Sequence, residues 1–212
     1  MAVILSPHLD DAVLSLGQFM QTETCTVVTV FAGSPRDGLS DYDASCGFTT
    51  SAQAMTKRLN EDDAALSMLG ARPERLNFLD RQYGQPTDDE VLTEALAPYL
   101  HRGVMAPLGL GHPDHAQVFY CVTKAMGPGV PLFFYEELPY RVLWPEQAHA
   151  AKKMLQLNGF QIQELPFPIL QGDRDRKAAA IAEYHSQFPK GADDPCLLVP
   201  ERVWKAVKPV QP

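Results

Sequence analysis

The sequence predicts an α/β fold: a Rossmann-like, doubly wound, mostly parallel sheet with helices on both faces, formed by a single domain spanning 1–212. Three observations predict it. Short runs rich in Val, Ile, Leu and Phe alternate with longer stretches of helical period, the βαβ rhythm of a sheet covered on both sides. The 212 residues, 45% of them hydrophobic, suit one core of generous size. No internal repeat, low-complexity tract or linker divides the chain.

The elements follow in order. The strands are expected at "AVILS" (2–6), "TCTVVTVFA" (24–32), "RLNFL" (75–79), "GVMAP" (103–107) and "VPLFFYE" (130–136), each a short apolar run rather than an alternating one. Helical periodicity fills 10–21, 51–69, 88–100, 113–126 and 145–158. The stretches 33–50 and 80–87 are loops, the first longer than a strand-to-helix connection needs and therefore expected to be functional. Beyond 160 come "GFQIQEL", an Ala-rich helix over 173–188 and a proline-bearing tail. In sheets of this kind, sites form beyond the carboxyl ends of the strands.

Composition narrows the function classes. A formal net charge of -8 argues against a surface that neutralises phosphate backbones or anionic lipid, so no nucleic-acid partner is expected. No segment offers the roughly 20 apolar residues of a membrane span. No Lys or Arg precedes the first apolar run, and His8, Asp10 and Asp11 interrupt it, which predicts a cytoplasmic protein. Cys25, Cys46, Cys121 and Cys196 form no CxxC pair and are read as reduced thiols.

Two clusters carry chemistry. "ILSPHLDDAV" (4–13) places His8, Asp10 and Asp11 where a strand ends and a helix begins. Taken alone, one aspartate capping that helix would account for it. "GLGHPDHAQVF" (109–119) repeats the arrangement: Pro113 suits a first helical position, and His112 and His115 can face one side of the helix start. If the two junctions are neighbours, three of the six histidines converge with Asp10, Asp11 and Asp114. A catalytic divalent metal, zinc above all, uses three N and O ligands and keeps a position open. His8, Asp11 and His115 supply such a set, one ion per chain, and other divalent ions fit the same ligands. Asp10 is then left as general base, His112 as donor to the oxyanion and leaving amine, and Asp114 as the group that orients His112.

The pair "PHLDD" and "GHPDH" resembles the signature of the PIG-L or LmbE-like family of zinc-dependent N-deacetylases. The resemblance extends to "SDYDASCGF", "KRLNEDDAALSMLGA" (57–71), "FYEELPY" (134–140) and "KAAAIAEYHSQF". It implies the same ligands and roles, and a hydrolase that removes an acetyl or other acyl group from the amide nitrogen of an N-acylated amino sugar or glycoconjugate, a small-molecule substrate. The commoner family form reads HPDDE, where this chain has Leu9 and Ala12; neither position is a ligand. A related amidase acting on a non-sugar amide is the alternative. A non-catalytic Rossmann-like binding protein fits less well, because no GxGxxG follows any strand. A magnesium phosphatase is disfavoured by the imidazoles, since magnesium prefers oxygen.

Substrate contacts are expected from Arg36 and Asp43 in the long loop, Arg58 on the following helix and Asp80 at a strand end. A solvated pair of Arg58 with Glu61, three residues on, is the competing account of Arg58. Glu136 and Tyr135 also end a strand. Lys177 and Gln187 are read as structural, and Trp144 and Trp204 as packing anchors.

Overall fold

Alternate residues of the first strand face opposite sides, and both sides are buried. The computed structural model describes residues 2–100, 103–166, 172–187 and 194–210. In β1 (Ala2–Ser6), Val3 and Leu5 join one apolar cluster and Ile4 joins another on the opposite face. Burying each such side chain stabilises by roughly 1.5–3 kcal/mol, so a run apolar on both sides settles at the centre of a covered sheet. β1 is parallel to β2 (Cys25–Thr29) on one side and to β4 (Val104–Pro107) on the other. The order is β3-β2-β1-β4-β5-β7-β6, with β3 at Arg72–Arg75, β5 at Pro131–Tyr135, β6 at Gln161–Glu164 and β7 at Val203–Val207.

The expected α/β architecture is present: a seven-stranded, mostly parallel sheet between two layers of helices. One face carries α1 (Asp11–Leu16), α3 (Ser51–Leu69) and α8 (Arg174–Ala182). The other carries α4 (Asp89–Leu96), α5 (Pro113–Ala125) and α7 (Pro145–Leu157), and the short α6 (Tyr140–Leu143) precedes α7. In α3 the Thr50 side chain accepts from Gln53 N, and Gly70, at φ 75°, closes the helix in the left-handed conformation that glycine adopts without strain.

Several boundaries differ from expectation. The third strand lies at Arg72–Arg75, before the apolar run 75–79, and its residues are largely exposed. As an edge strand pairing only with β2, it needs no apolar run; that run leads instead into the next loop, with Leu76 N donating to Thr29 O at 2.8 Å. The loop 33–50 contains a short helix, α2 (Asp41–Ser45), capped by Ser40. The segments around 161 and 203 are two strands, β7 antiparallel to both β5 and β6. The C-terminal helix ends at Ala182, and Phe188, the last residue expected in it, lies outside the described residues. No helix among the described residues is long and apolar enough to cross a membrane.

The order around β1 positions the site. The chain moves outward from β1 to β2 and β3, then returns to β4 on the opposite side. This reversal opens a crevice beyond the ends of β1 and β4, where His8 and His112 both lie.

Candidate metal centre

Each motif is held by the backbone at a helix start. Asp10 occupies the N-cap of α1, yet its side chain makes no capping hydrogen bond, so capping does not account for it. Asp11 turns back instead: its Oδ2 accepts from the backbone N of His8 at 2.8 Å. At α5, His112 is the N-cap and its Nδ1 accepts from Asp114 N at 3.2 Å. That bond leaves the proton of a neutral His112 ring on Nε2. Gly111, at φ 73°, lets the Tyr140 ring pack against it; a Cβ there would lie 2.1 Å from that ring.

Three ligand atoms converge. His8 Nδ1 lies 3.3 Å from Asp11 Oδ2 and 3.3 Å from His115 Nε2, and His115 Nε2 lies 3.0 Å from Asp11 Oδ2. An ion with bonds of about 2.0–2.1 Å needs tetrahedral corners roughly 3.3 Å apart, so this triangle fits the donor set of a catalytic zinc. His115 is fully buried and Asp11 is 3% exposed. Two overlapping groups also bring donor atoms within 4.8 Å of one another: His8, His112 and His115, and His8, Asp80, His112 and Asp114. The triangle with Asp11 is the tighter, and it supplies the negative charge that a divalent ion requires.

Each imidazole in the triangle turns its other nitrogen to a carboxylate. His8 Nε2 lies 3.3 Å from Asp114 Oδ2; His115 Nδ1 lies 3.3 Å from Glu137 Oε1. The expectation that Asp114 orients His112 through its carboxylate is thereby corrected. That carboxylate stands 3.8 Å from His112 Nδ1 and is held by Arg81, through the backbone N at 3.1 Å and Nε at 3.0 Å. Its helical position directs it back toward His8, and only its backbone N–H serves His112.

The electrostatics follow from burial and these neighbours. Burial alone would lower His115, but Asp11 and Glu137 bring it up to about 9. His8 is likewise raised against burial by Asp11 and Asp114. Burial also opposes the ionisation of Asp11, which the two histidines nevertheless drive well below the usual carboxylate range. Asp10 is pushed up to about 6 by burial and by the charge of Asp11. Burial and the adjacent His8 ring lower His112. The site thus holds a carboxylate that takes a proton readily and a neutral ring with one N–H to offer as a hydrogen-bond donor.

A cavity of about 400 Å³ opens over these groups, lined by His8, Asp10, Asp11, His112, Arg58 and Asp80 together with apolar and aromatic side chains. Of the expected substrate contacts, Arg58 and Asp80 line it, whereas Arg36 and Asp43 do not. Arg36 is exposed in its loop. Asp43 is fully buried, and its Oδ1 accepts from Arg58 NH2 at 2.6 Å; it holds an arginine rather than a ligand. Arg58 does not pair with Glu61, which accepts instead from Ser186 N and Oγ. Asp80 caps the turn Arg81–Tyr83 and stands 3.7 Å from His8 Nε2.

Sequence reasoning missed Glu137, Arg81, Tyr140 and Gln187. Glu137 adjoins the flagged strand end at Tyr135 and Glu136, but two successive acids gave no means of choosing. The structure ties Glu136 to Lys152 Nζ and Trp204 Nε1, both at 2.9 Å, and turns Glu137 inward. Gln187, read as structural, lines the cavity. Lys177 is a fully buried structural group, 2.8 Å from Glu201. Trp144 stacks on Tyr140 with ring centroids 5.9 Å apart.

Residues 3–126 match the family profile for PIG-L, the GlcNAc-PI de-N-acetylase. Among curated proteins, the chain is similar to the 2'-N-acetylparomamine deacetylase of Niallia circulans, 27% identical over 231 residues, 88% of this chain and 80% of that one. Among solved structures it resembles a deacetylase–bog complex from teicoplanin biosynthesis, with TM-score 0.79, 22% identity and coverage of 100% of this chain and 99% of that one. The zinc-inhibited form of a teicoplanin deacetylase matches over the same shares at TM-score 0.73 and 22% identity. At that identity the two structures speak for the fold.

Proposed function

The chain belongs to the PIG-L (GlcNAc-PI de-N-acetylase) family, and from that premise we propose that it is a zinc-dependent hydrolase removing an acetyl, or other small acyl, group from the amide nitrogen of an N-acylated amino sugar or glycoconjugate. The observation that carries the reading is the triangle of His8 Nδ1, Asp11 Oδ2 and His115 Nε2, two corners of which, His8 and Asp11, line the cavity that also holds Asp10 and His112. The similarity to a 2'-N-acetylparomamine deacetylase supports an amino-sugar acceptor. His8, Asp11 and His115 would hold the ion, which when bound polarises an amide carbonyl and lowers the pKa of water toward roughly 7.

The chain's own groups perform the proton work. Asp10, with its carboxylate free of any capping bond, takes a proton from the attacking water. His112 presents Nε2–H to the oxygen on which charge develops, and Asp10 passes the proton it took to the departing nitrogen as the C–N bond breaks. The products are the free amine and a carboxylate. Asp114 and Arg81 hold the His8 ring; Asp43 holds Arg58 against the cavity wall. Arg58 and Asp80 contact the acceptor. Leu9, Leu14, Phe31 and Met55, also in the lining, keep the reacting amide apart from bulk water.

The test is a panel of N-acyl amino sugars, with amine release as readout, on chelator-treated protein reloaded with zinc and other divalent ions one equivalent at a time. Activity that appears on reloading and prefers N-acetyl amino sugars is expected. Equal turnover by chelated protein, or hydrolysis confined to non-sugar amides, would overturn the proposal.

A further inference from the structure

Among the described side chains, the buried carboxylate of Glu137 has the densest set of donors. Glu137 is fully buried. Its Oε2 accepts from Leu108 N at 3.0 Å, and its Oε1 accepts from Gly109 N at 2.7 Å and Leu110 N at 2.8 Å. Oε1 also faces His115 Nδ1 at 3.3 Å. One group therefore joins the backbone of the loop after β4 to a side chain on α5. The next residue ties the same segment to the other motif: Leu138 N donates to Ser15 Oγ, on α1, at 3.1 Å.

We propose that Glu137 is a positioning residue for the metal centre, keeping the proton of His115 on Nδ1 so that the Nε2 lone pair points at His8 Nδ1 and Asp11 Oδ2. The assignment rests on the reading of His8, Asp11 and His115 as metal ligands. A neutral imidazole carries one proton, and the hydrogen bond made by one nitrogen decides which nitrogen is left to bind a metal. Glu137 Oε1 can only accept, so with an ion on Nε2 it fixes the ring by holding the proton on Nδ1; without an ion, Asp11 Oδ2, 3.0 Å from Nε2, competes for a ring proton. The backbone amides at 108–110 hold the carboxylate in place: without it Gly109 N and Leu110 N would lose their partner, while Leu108 N also reaches Tyr135 O at 3.0 Å.

Glu137→Gln weakens this hold. Both carboxylate oxygens accept from backbone N–H, so the NH2 of the amide meets Leu108 N if its oxygen keeps the Oε1 position, and Gly109 N and Leu110 N if it does not. Leu108 N also reaches Tyr135 O, so the oxygen keeps the Oε1 position, and a neutral amide replaces the carboxylate in accepting from Nδ1–H. Loss of such an outer carboxylate weakens metal affinity by roughly 10–100-fold.

The experiment compares wild type, Glu137→Gln, Glu137→Asp and Leu132→Ala. The last is a buried β5 substitution that lowers thermal stability without touching the ring. Zinc affinity is measured by chelator competition, and the hydrogen bond from His115 Nδ1–H by the proton chemical shift of that group in zinc-loaded protein. Expected are Kd values 10–100-fold weaker for Glu137→Gln, with the Nδ1–H resonance moved upfield of wild type, and both an affinity within about twofold and an unmoved resonance for Leu132→Ala. If Glu137→Gln does not fold, Glu137→Asp serves: its shorter arm cannot span the amides and the ring, and its affinity falls at least tenfold. Wild-type zinc affinity in the Glu137 variants, or an Nδ1–H resonance that does not move in Glu137→Gln, would overturn the inference. Zinc failing to bind wild type would sink the metal reading instead.

Discussion

Replacing His112 in two ways separates its chemistry from its structural duty. Its ring caps α5 by accepting from Asp114 N at 3.2 Å, and an alanine there removes that cap at a cost of about 1 kcal/mol. For a chain of this size that corresponds to roughly 2–4 °C in Tm. Asparagine is among the best N-cap residues, so His112→Asn should restore most of the lost stability. Neither variant can present Nε2–H to the developing oxyanion. Losing one such donor costs about 3–4 kcal/mol of transition-state stabilisation, a factor of a hundred to a thousand in kcat. Neither removes a corner of the His8, Asp11 and His115 triangle, so both should keep the metal. The assay is parallel measurement of Tm, bound zinc per chain and kcat on the best N-acetyl amino sugar. Zinc lost from both variants, or a His112→Asn enzyme within tenfold of wild type, would refute the reasoning.

Asp10→Asn should retain zinc and lose roughly 10²–10⁴ in kcat, since an amide cannot accept a proton from water; near-normal turnover with metal bound would place the base elsewhere. His8→Ala, Asp11→Ala and His115→Ala should each lose metal and activity together, read by elemental analysis beside wild type. Zinc affinity should weaken as pH falls from 8 to 6: in metal-free protein His115 titrates at about 9, so below that value the ion must displace a proton, and each unit lower costs about tenfold for each proton displaced. A flat profile by chelator competition would remove His115 from the ligand set. Asp43→Asn should destabilise by about 3–5 kcal/mol in urea unfolding, because it leaves Arg58 uncompensated in a pair whose side chains are 4% and 0% exposed; a loss under about 1 kcal/mol would show that the pair is not needed.

What could be read from the sequence was whatever local chemistry determines. The β1 run is apolar on both faces and could only be a central strand, and the two His–Asp clusters each follow such a strand, so their meeting at the β1–β4 reversal needed only the topology. β3 was misplaced because an edge strand exposed on its surface carries no apolar signal. β6 and β7 were not assigned because "QIQE" is short and polar, and β7 finds its partners across the sheet rather than beside it in sequence. In the site, the convergence of His8, Asp11 and His115 was legible from the two motifs, whereas the carboxylates behind the rings were not. Asp114 looks in sequence like a companion of its neighbour His112, yet the helix start directs its carboxylate to His8, at a separation of 106 residues. Asp43 and Arg58 each resembled a substrate contact because nothing local shows that they satisfy one another.

The position of β7 has a consequence for how the chain is made. It lies between β5 and β6 and is hydrogen-bonded to both, yet it is translated after either of them. Until Val203–Val207 leaves the ribosome, the outer edge of "PLFFY" has open backbone donors and acceptors beside two phenylalanines, and β6 has no strand to join. An unpaired apolar edge of that kind is a template for intermolecular strand addition. The nascent protein therefore passes through a stage, roughly 70 residues long at about 5–20 residues per second, in which both His–Asp motifs have been synthesised while the sheet that carries them is still open. Chaperone dependence and aggregation should concentrate in that interval.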